Sequence, residues 1–344
     1  MTSASEDMLP PVSVLGFGAV TALGRDVQSL ATLLGRPRAS PSDSSRRVSD
    51  EWLADARVGR ALRRAGRFPR MAVLAAMDAW DAAGAAGQDV ATDRVGVVVA
   101  TGLGPHDRTF KFLDGILDCG DNSASPTDFS HSVHNAAAAY ITEILGWRGR
   151  SCTVTDFTAA FEQAVLLAQV WLAEGACDRV VVGAVEELGE VLLGVLPRLL
   201  GDASNRTDVA AGEGACFLTL GPATLAGFAH LNATAQRDQV DVLVMDEPAL
   251  PSFEVQAASL PLPARQAVTF SPHFGHMATS SAFQTLGGLL CLHTGHILGQ
   301  RISHMHDVRL IEPAVAPASL DSVQVYKRSS MSESHSLFLT RPGS

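Results

Sequence analysis

Apolar positions follow two rhythms along this chain. Short unbroken runs rich in β-branched residues, Val12–Val20, Val95–Ala100, Val180–Ala184 and Asp241–Met245, predict buried strands of a sheet covered on both faces. Longer stretches between them carry apolar residues at helical spacing. Met71, Leu74, Ala75, Met77, Ala79 and Trp80 predict a helix over 71–83, which Gly84 stops. Further helices are predicted at about His106–Leu117, Asn135–Leu145, Val165–Ala173 and Met277–Leu292. Residues 37–50, rich in Ser, Pro and Arg, predict a surface loop. Gly212–Leu220 closes a first round of strands and helices, a second begins near Ala226, and Ser336–Leu339 is a final strand. Strands alternating with buried helices, twice over, predict a layered α/β architecture of two halves, residues 1–224 and 225–344.

The segment Thr153–Ala164 carries the clearest chemical signal. A β-branched run breaks at Asp156-Phe157-Thr158-Ala159 and becomes a long apolar helix. Such a strand, elbow and helix lifts one side chain onto the tip of a turn. The unpaired N–H groups of the helix start then favour a thiolate or an oxyanion there. A nucleophile would be Cys or Ser; this chain has Thr158, flanked by Asp156 and Glu162, whose charges oppose anion formation.

Composition narrows the classes. The 344 residues are 47% hydrophobic and only 18% charged, which predicts a large core and a broad buried partner interface. A net charge of -10 excludes a general nucleic-acid surface. The polar, acidic start lacks the features of a signal peptide, and no apolar run approaches the roughly 20 residues that span a bilayer. Five scattered cysteines without CxxC spacing predict reduced thiols in a cytoplasmic protein.

The elbow and its helix, Gly175-Ala176-Cys177-Asp178 before Val180–Glu186, Gly212-Glu213-Gly214-Ala215, and Phe274-Gly275-His276 before a small-residue helix together resemble the β-ketoacyl synthases. The opening strand, the helix ending at Gly84 and Asn135-Ala136-Ala137-Ala138 extend the resemblance over nearly the whole chain. It implies the thiolase-type fold, a five-layer αβαβα sandwich of two similar halves, and an obligate dimer. The second half is shorter than usual, and the helix expected between Leu220 and Asp241 is largely absent.

Active members need a cysteine, two histidines, a lysine and a Gly-Phe-Gly-Gly loop. The resemblance puts the cysteine position at Thr158 and the first histidine at Asp246, and retains the second as His276. The lysine is missing from Ser271–Gly275, and the loop has become Arg328–Ser334. Loss of nearly the whole set implies a non-catalytic subunit that needs no cofactor, with His276 a hydrogen-bonded residue at a helix start. It resembles a chain length factor, the ketosynthase β subunit of a type II polyketide synthase, of the highly reducing polyene type. The implied partners are an active ketosynthase and an acyl carrier protein bearing a phosphopantetheine-linked acyl chain, met mainly through the ketosynthase. Nucleic acid and membrane are not expected partners. An acyltransferase or thioesterase using Thr158 and His276 is the alternative, and a homodimeric acyl-binding protein a third.

The resemblance also implies that the helix at 106–117 closes the partner's acyl pocket. Thr109, Phe112, Leu113 and Ile116 share a face by spacing, with Phe129 on the following loop. Arg60, Arg63, Arg64 and Arg67 would share another helical face as a candidate carrier-protein dock, or pair locally with Asp50, Glu51 and Asp55. His293, His296, His304 and His306 lack carboxylate or Cys partners at ligand spacing, so no metal site is expected.

Overall fold

The computed structural model describes residues 9–36, 45–85, 89–120, 122, 124–200, 210–235, 237–246, 264–301, 320–328 and 334–343. Its strands are β1 (Val12–Val20), β2 (Ser45–Arg46), β3 (Val95–Thr101), β4 (Ser151–Thr155), β5 (Arg179–Glu186), β6 (Ala211–Gly212), β7 (Gly214–Pro222), β8 (Ala229–Asn232), β9 (Val240–Asp246), β10 (Ala264–Thr269), β11 (Gln300–Arg301), β12 (Ser322–Arg328) and β13 (Ser334–Thr340). Among the described residues eleven form one sheet in the order β11-β10-β9-β12-β13-β8-β1-β7-β5-β3-β4, and β2 pairs β6 apart from it. β4 lies at one free edge of this sheet.

Two helices lie between the arms of the sheet. Ala160–Ala173 packs on β3, β4, β5 and β7, and Ser280–Thr294 on β9, β12 and β13. The period-two alternation of the strands sorts their side chains. Val98 and Ala100 of β3 face these helices, while Val95, Val97 and Val99 face Arg67–Ala82 and Ala136–Leu145 on the outside. The other arm does the same. Val242 and Val244 point inward, and Leu243 and Met245 join Phe338 in an outer cluster. The segments 247–263 and 302–319 lie outside the described residues.

The helix expected from residue 71 begins at Arg67. Pro69 falls in its first turn, where a missing N–H costs nothing, and Gly84 follows its end at φ +60°. The preceding arginines lie on short 3-10 turns, so Arg60, Arg63 and Arg64 do not share a helical face with Arg67. Phe129 belongs to the helix Pro126–Ser132, capped by Ser125, and not to a loop. Where a helix is absent after Leu220, the strand β8 adds to the sheet instead. No helix among the described residues is long and apolar enough to cross a membrane.

Arg67–Ala82 crosses β1 at unusually close range. A Cβ on Gly18 would lie 2.5 Å from both the Ala75 carbonyl oxygen and the Ala79 nitrogen, so backbone would have to move. Gly18→Ala should therefore lower stability by about 1–3 kcal/mol, read as a lower urea midpoint with an unchanged slope.

Candidate functional site

β4 ends at Thr155, and the chain turns through Asp156–Ala159 into the buried helix Ala160–Ala173. The elbow expected from sequence is formed, with Thr158 half-buried in its turn. The Thr158 amide and hydroxyl donate to Asp156 Oδ1 at 2.9 and 3.0 Å, and Gln163 Nε2 donates to Asp156 Oδ2 at 2.9 Å. Burial pushes the Asp156 carboxyl up, but these donors outweigh it and hold it below the usual range. The hydroxyl is thus tied to an ionised carboxylate of little basicity. The elbow's own Asp156 occupies an N–H that an oxyanion would need.

Behind the elbow lies a buried charge cluster. Asp246, at the end of β9, touches Lys327 Nζ at 3.1 Å and accepts from the Ser280 hydroxyl at 2.7 Å. Lys327, near the end of β12, directs a hydrogen bond to the Ala278 carbonyl at 2.8 Å. Burial pulls the lysine pKa down, yet Asp246 and Glu162 outweigh it, so the ammonium stays charged. Glu162, in the first turn of the elbow helix, is pushed up by burial, with Lys327 only partly opposing this. The lysine sought before His276 is absent there, and another strand brings an ammonium to Asp246. Val323, Val325 and Lys327 share the inward register of β12, a signal that the sequence carried.

Glu186 and Glu187, at the end of β5, were also missed. Glu186 is buried and accepts from the Gly102 and Leu103 amides at 2.5 and 3.3 Å, so it anchors the loop after β3. Burial pushes its carboxyl up to about 7. Glu187 is raised to about 7 for the same reason and accepts the Asp107 amide at 2.9 Å. His106, Asp107 and Glu187 bring three ligand-type atoms within 4.8 Å of one another. The Gly189 amide donates to His106 Nε2 at 3.1 Å, which leaves the ring proton on Nδ1, the atom 3.9 Å from Glu187. A protonated Nδ1 has no lone pair for a metal, and burial keeps the ring neutral.

The remaining candidates are dispersed. His276 is half-buried and held by its backbone, its N–H donating to the Ala210 carbonyl at 2.7 Å and its carbonyl accepting from Gly212 at 3.0 Å. Gly275 before it takes φ +84° with Gly212 packed against it, a place for no side chain. Phe112 packs at a tilt against Phe129 with centroids 5.6 Å apart, and the Thr109 hydroxyl donates to the Ser132 carbonyl at 3.0 Å. Ile116 is half-buried and Leu113 is exposed. Arg67 turns inward to pair with buried Glu213 at 2.6 Å, and also meets Asp50, so it leaves the candidate arginine dock. His293 meets Phe228 edge to face and His296 Nδ1 meets the Thr294 carbonyl, while His304, His306 and residues 329–333 of the altered loop lie outside the described residues. The buried thiols of Cys216 and Cys291 are pushed up to about 12 by burial, which leaves them inert.

Residues 50–205 match the β-ketoacyl synthase N-terminal domain family. The whole fold resembles the ishigamide ketosynthase/chain length factor, with a TM-score of 0.74 and 19% identity over 97% of this chain and 100% of that one. A β-ketoacyl synthase from Burkholderia phymatum STM815 gives 0.72 and 17% over 96% and 99%. AntDE:AntF, a type II PKS acyl-carrier protein in complex with its ketosynthase bound to the hexaketide, gives 0.71 and 15% over 97% and 99%. Residues 50–205 thus match a ketosynthase-family domain, and the fold is a thiolase-type α/β sandwich.

Breaking the buried pair from one side should be costly. Lys327→Met leaves Asp246 and Glu162 without their cation and should cost about 3–5 kcal/mol, whereas Lys327→Met with Asp246→Leu should recover much of it. Denaturant titration of both variants reads the difference. The glutamates add a pH dependence. A carboxyl whose pKa is raised on folding stabilises below its unfolded value and loses that contribution as pH rises through the folded value. Stability should thus fall between about pH 4.5 and 7, by on the order of 3 kcal/mol for Glu186 alone. Glu186→Gln should flatten this fall; an unchanged thermal-midpoint profile would contradict it.

Proposed function

We propose that this chain is a non-catalytic, ketosynthase-like chain length factor of a type II polyketide synthase. The observation that carries the reading is an elbow kept in shape but emptied of chemistry, with Thr158 bonded to its own Asp156 and an Asp246–Lys327 pair beside Glu162 behind it. The likeness to the ishigamide ketosynthase/chain length factor supports it. The alternative, an acyltransferase using Thr158 and His276, suffers because the carboxylate that accepts the Thr158 proton is a poor base.

The chain would act in the cytoplasm, paired with an active ketosynthase. Acyl carrier protein and its phosphopantetheine-linked chain would be met mainly through that subunit. The interface would lie along the free edge of β4. Exposed Leu103, Phe110, Leu113, Leu117, Phe129 and Phe157 support this, since large apolar side chains in water mark a surface that a partner covers. In this reading residues 1–224 form the half bearing the interface and 225–344 the shortened half, and the pathway is of the highly reducing polyene type.

The acyl cavity would be lined by Thr109, Phe112, Leu113, Ile116 and Phe129, with the tilted pair of Phe112 and Phe129 as its floor. Co-expressed with its ketosynthase, the chain should form a soluble one-to-one complex. Alone, it should take no acyl group from acyl carrier protein, by intact mass. Phe112→Ala should lengthen the reconstituted product by roughly one two-carbon unit at a packing cost below the about 3–5 kcal/mol of a fully buried ring. Acylation abolished by Thr158→Ala would overturn the non-catalytic reading. An intact complex whose products ignore Phe112→Ala would move the floor elsewhere.

A further inference from the structure

The two helices that carry the cavity residues bury almost nothing of their own. His106 is the one buried residue of His106–Cys119, and Pro126–Ser132 has none. They hold each other, with the Thr109 hydroxyl on the Ser132 carbonyl and Arg108 and Lys111 each 3.5 Å from Asp128. The fixed points of this pair on the body are polar. At its root the Asp107 amide donates to Glu187 at 2.9 Å, and the Gly189 amide donates to His106 Nε2 at 3.1 Å. Gly189 lies so close to Asp107 that a Cβ on it would overlap the carboxylate. On the second helix, His131 Nε2 meets the Tyr140 hydroxyl at 3.0 Å, and His131 Nδ1 has no partner among the described residues. Tyr140 belongs to Ala136–Leu145, which packs on Arg67–Ala82 and β3.

A helix with so little buried surface is placed loosely by packing, whereas a hydrogen bond fixes distance to within about half an ångström. Two added carbons lengthen an acyl chain by only about 2.5 Å, so a shift of less than one helical turn changes what fits. We infer that His106 and Tyr140 are positioning residues for chain length, their bonds to Gly189 and His131 setting where Phe112 and Phe129 stand. This rests on the reading above that those rings floor the acyl cavity. Neither residue touches the acyl chain; each acts through the rings.

The full chain is reconstituted with its ketosynthase and acyl carrier protein. Products are read by mass spectrometry, and the amides of residues 106–119 by hydrogen exchange. His106→Leu removes the acceptor of the Gly189 amide, and Tyr140→Phe removes the hydroxyl while keeping the ring. Each should raise the share of longer products, and quicken exchange of the helix, by about fivefold, the population change that one hydrogen bond carries. His106→Gln sets an acceptor where Nε2 stood and should restore the parent's products, a rescue that space-filling alone does not give. Phe112→Ala is the control for the cavity itself. If it lengthens the products while His106→Leu and Tyr140→Phe do not, the positioning role is overturned and the cavity stands. If Phe112→Ala changes nothing in an intact complex, the cavity reading falls and the positioning role with it. His106→Gln behaving like His106→Leu would overturn the role of His106. Should His106→Leu not fold, Tyr140→Phe decides alone, and parent-like products from it would overturn the inference.

Discussion

Everything in this molecule is arranged around the burial of one helix. From Ser280 to Leu292 every residue is buried, so the helix offers no face to water and must be covered on all sides. Small residues make this feasible. Gly287 packs against the Phe270 ring and Gly288 against Val323 and Leu339, letting strand and helix approach without intervening side chains. The elbow helix beside it is covered from the other arm of the sheet. Neither arm could exist alone with its inner face exposed, since that face is mostly hydrocarbon.

That constraint explains the shape of the elbow. The turn Asp156–Ala159 has to deliver the chain from an edge strand into a buried helix, a geometric task independent of any chemistry at Thr158. The polar interior behind it needs its charges balanced. Asp246, Lys327, Glu162 and Ser280 form a set in which the ammonium offsets a carboxylate and a second carboxyl is driven toward its neutral form. Such a cluster is poor at transition-state chemistry because its donors are already saturated by the protein itself.

Local signals were legible in the sequence, and tertiary ones were not. The elbow could be read because a β-branched run, a small-residue turn and an apolar helix are adjacent in the chain. The start of Arg67–Ala82 was misplaced because Arg67-Phe68-Pro69-Arg70 looks like a break, although proline suits a first turn and Phe68 is fully buried. Ser125-Pro126 and Asp128 spelled out the cap of the helix carrying Phe129, and that signal went unused. The inward turn of Arg67 to Glu213 and the burial of Glu186 and Glu187 depend on segments remote in sequence, where no periodicity speaks. Lys327 stands between these cases. Its register was visible, but its partner on β9 was not.

β1 is bonded on both sides, to β7 along most of its length and to β8 at Val12–Val14, and is where the two arms of the sheet meet. Force or fluctuation in either arm therefore reaches the other through three residues of backbone pairing. Successive amides there point to opposite arms, so fraying of one arm exposes only the set bonded to it. Exchange of the two sets with solvent hydrogen therefore reports the opening of each arm separately.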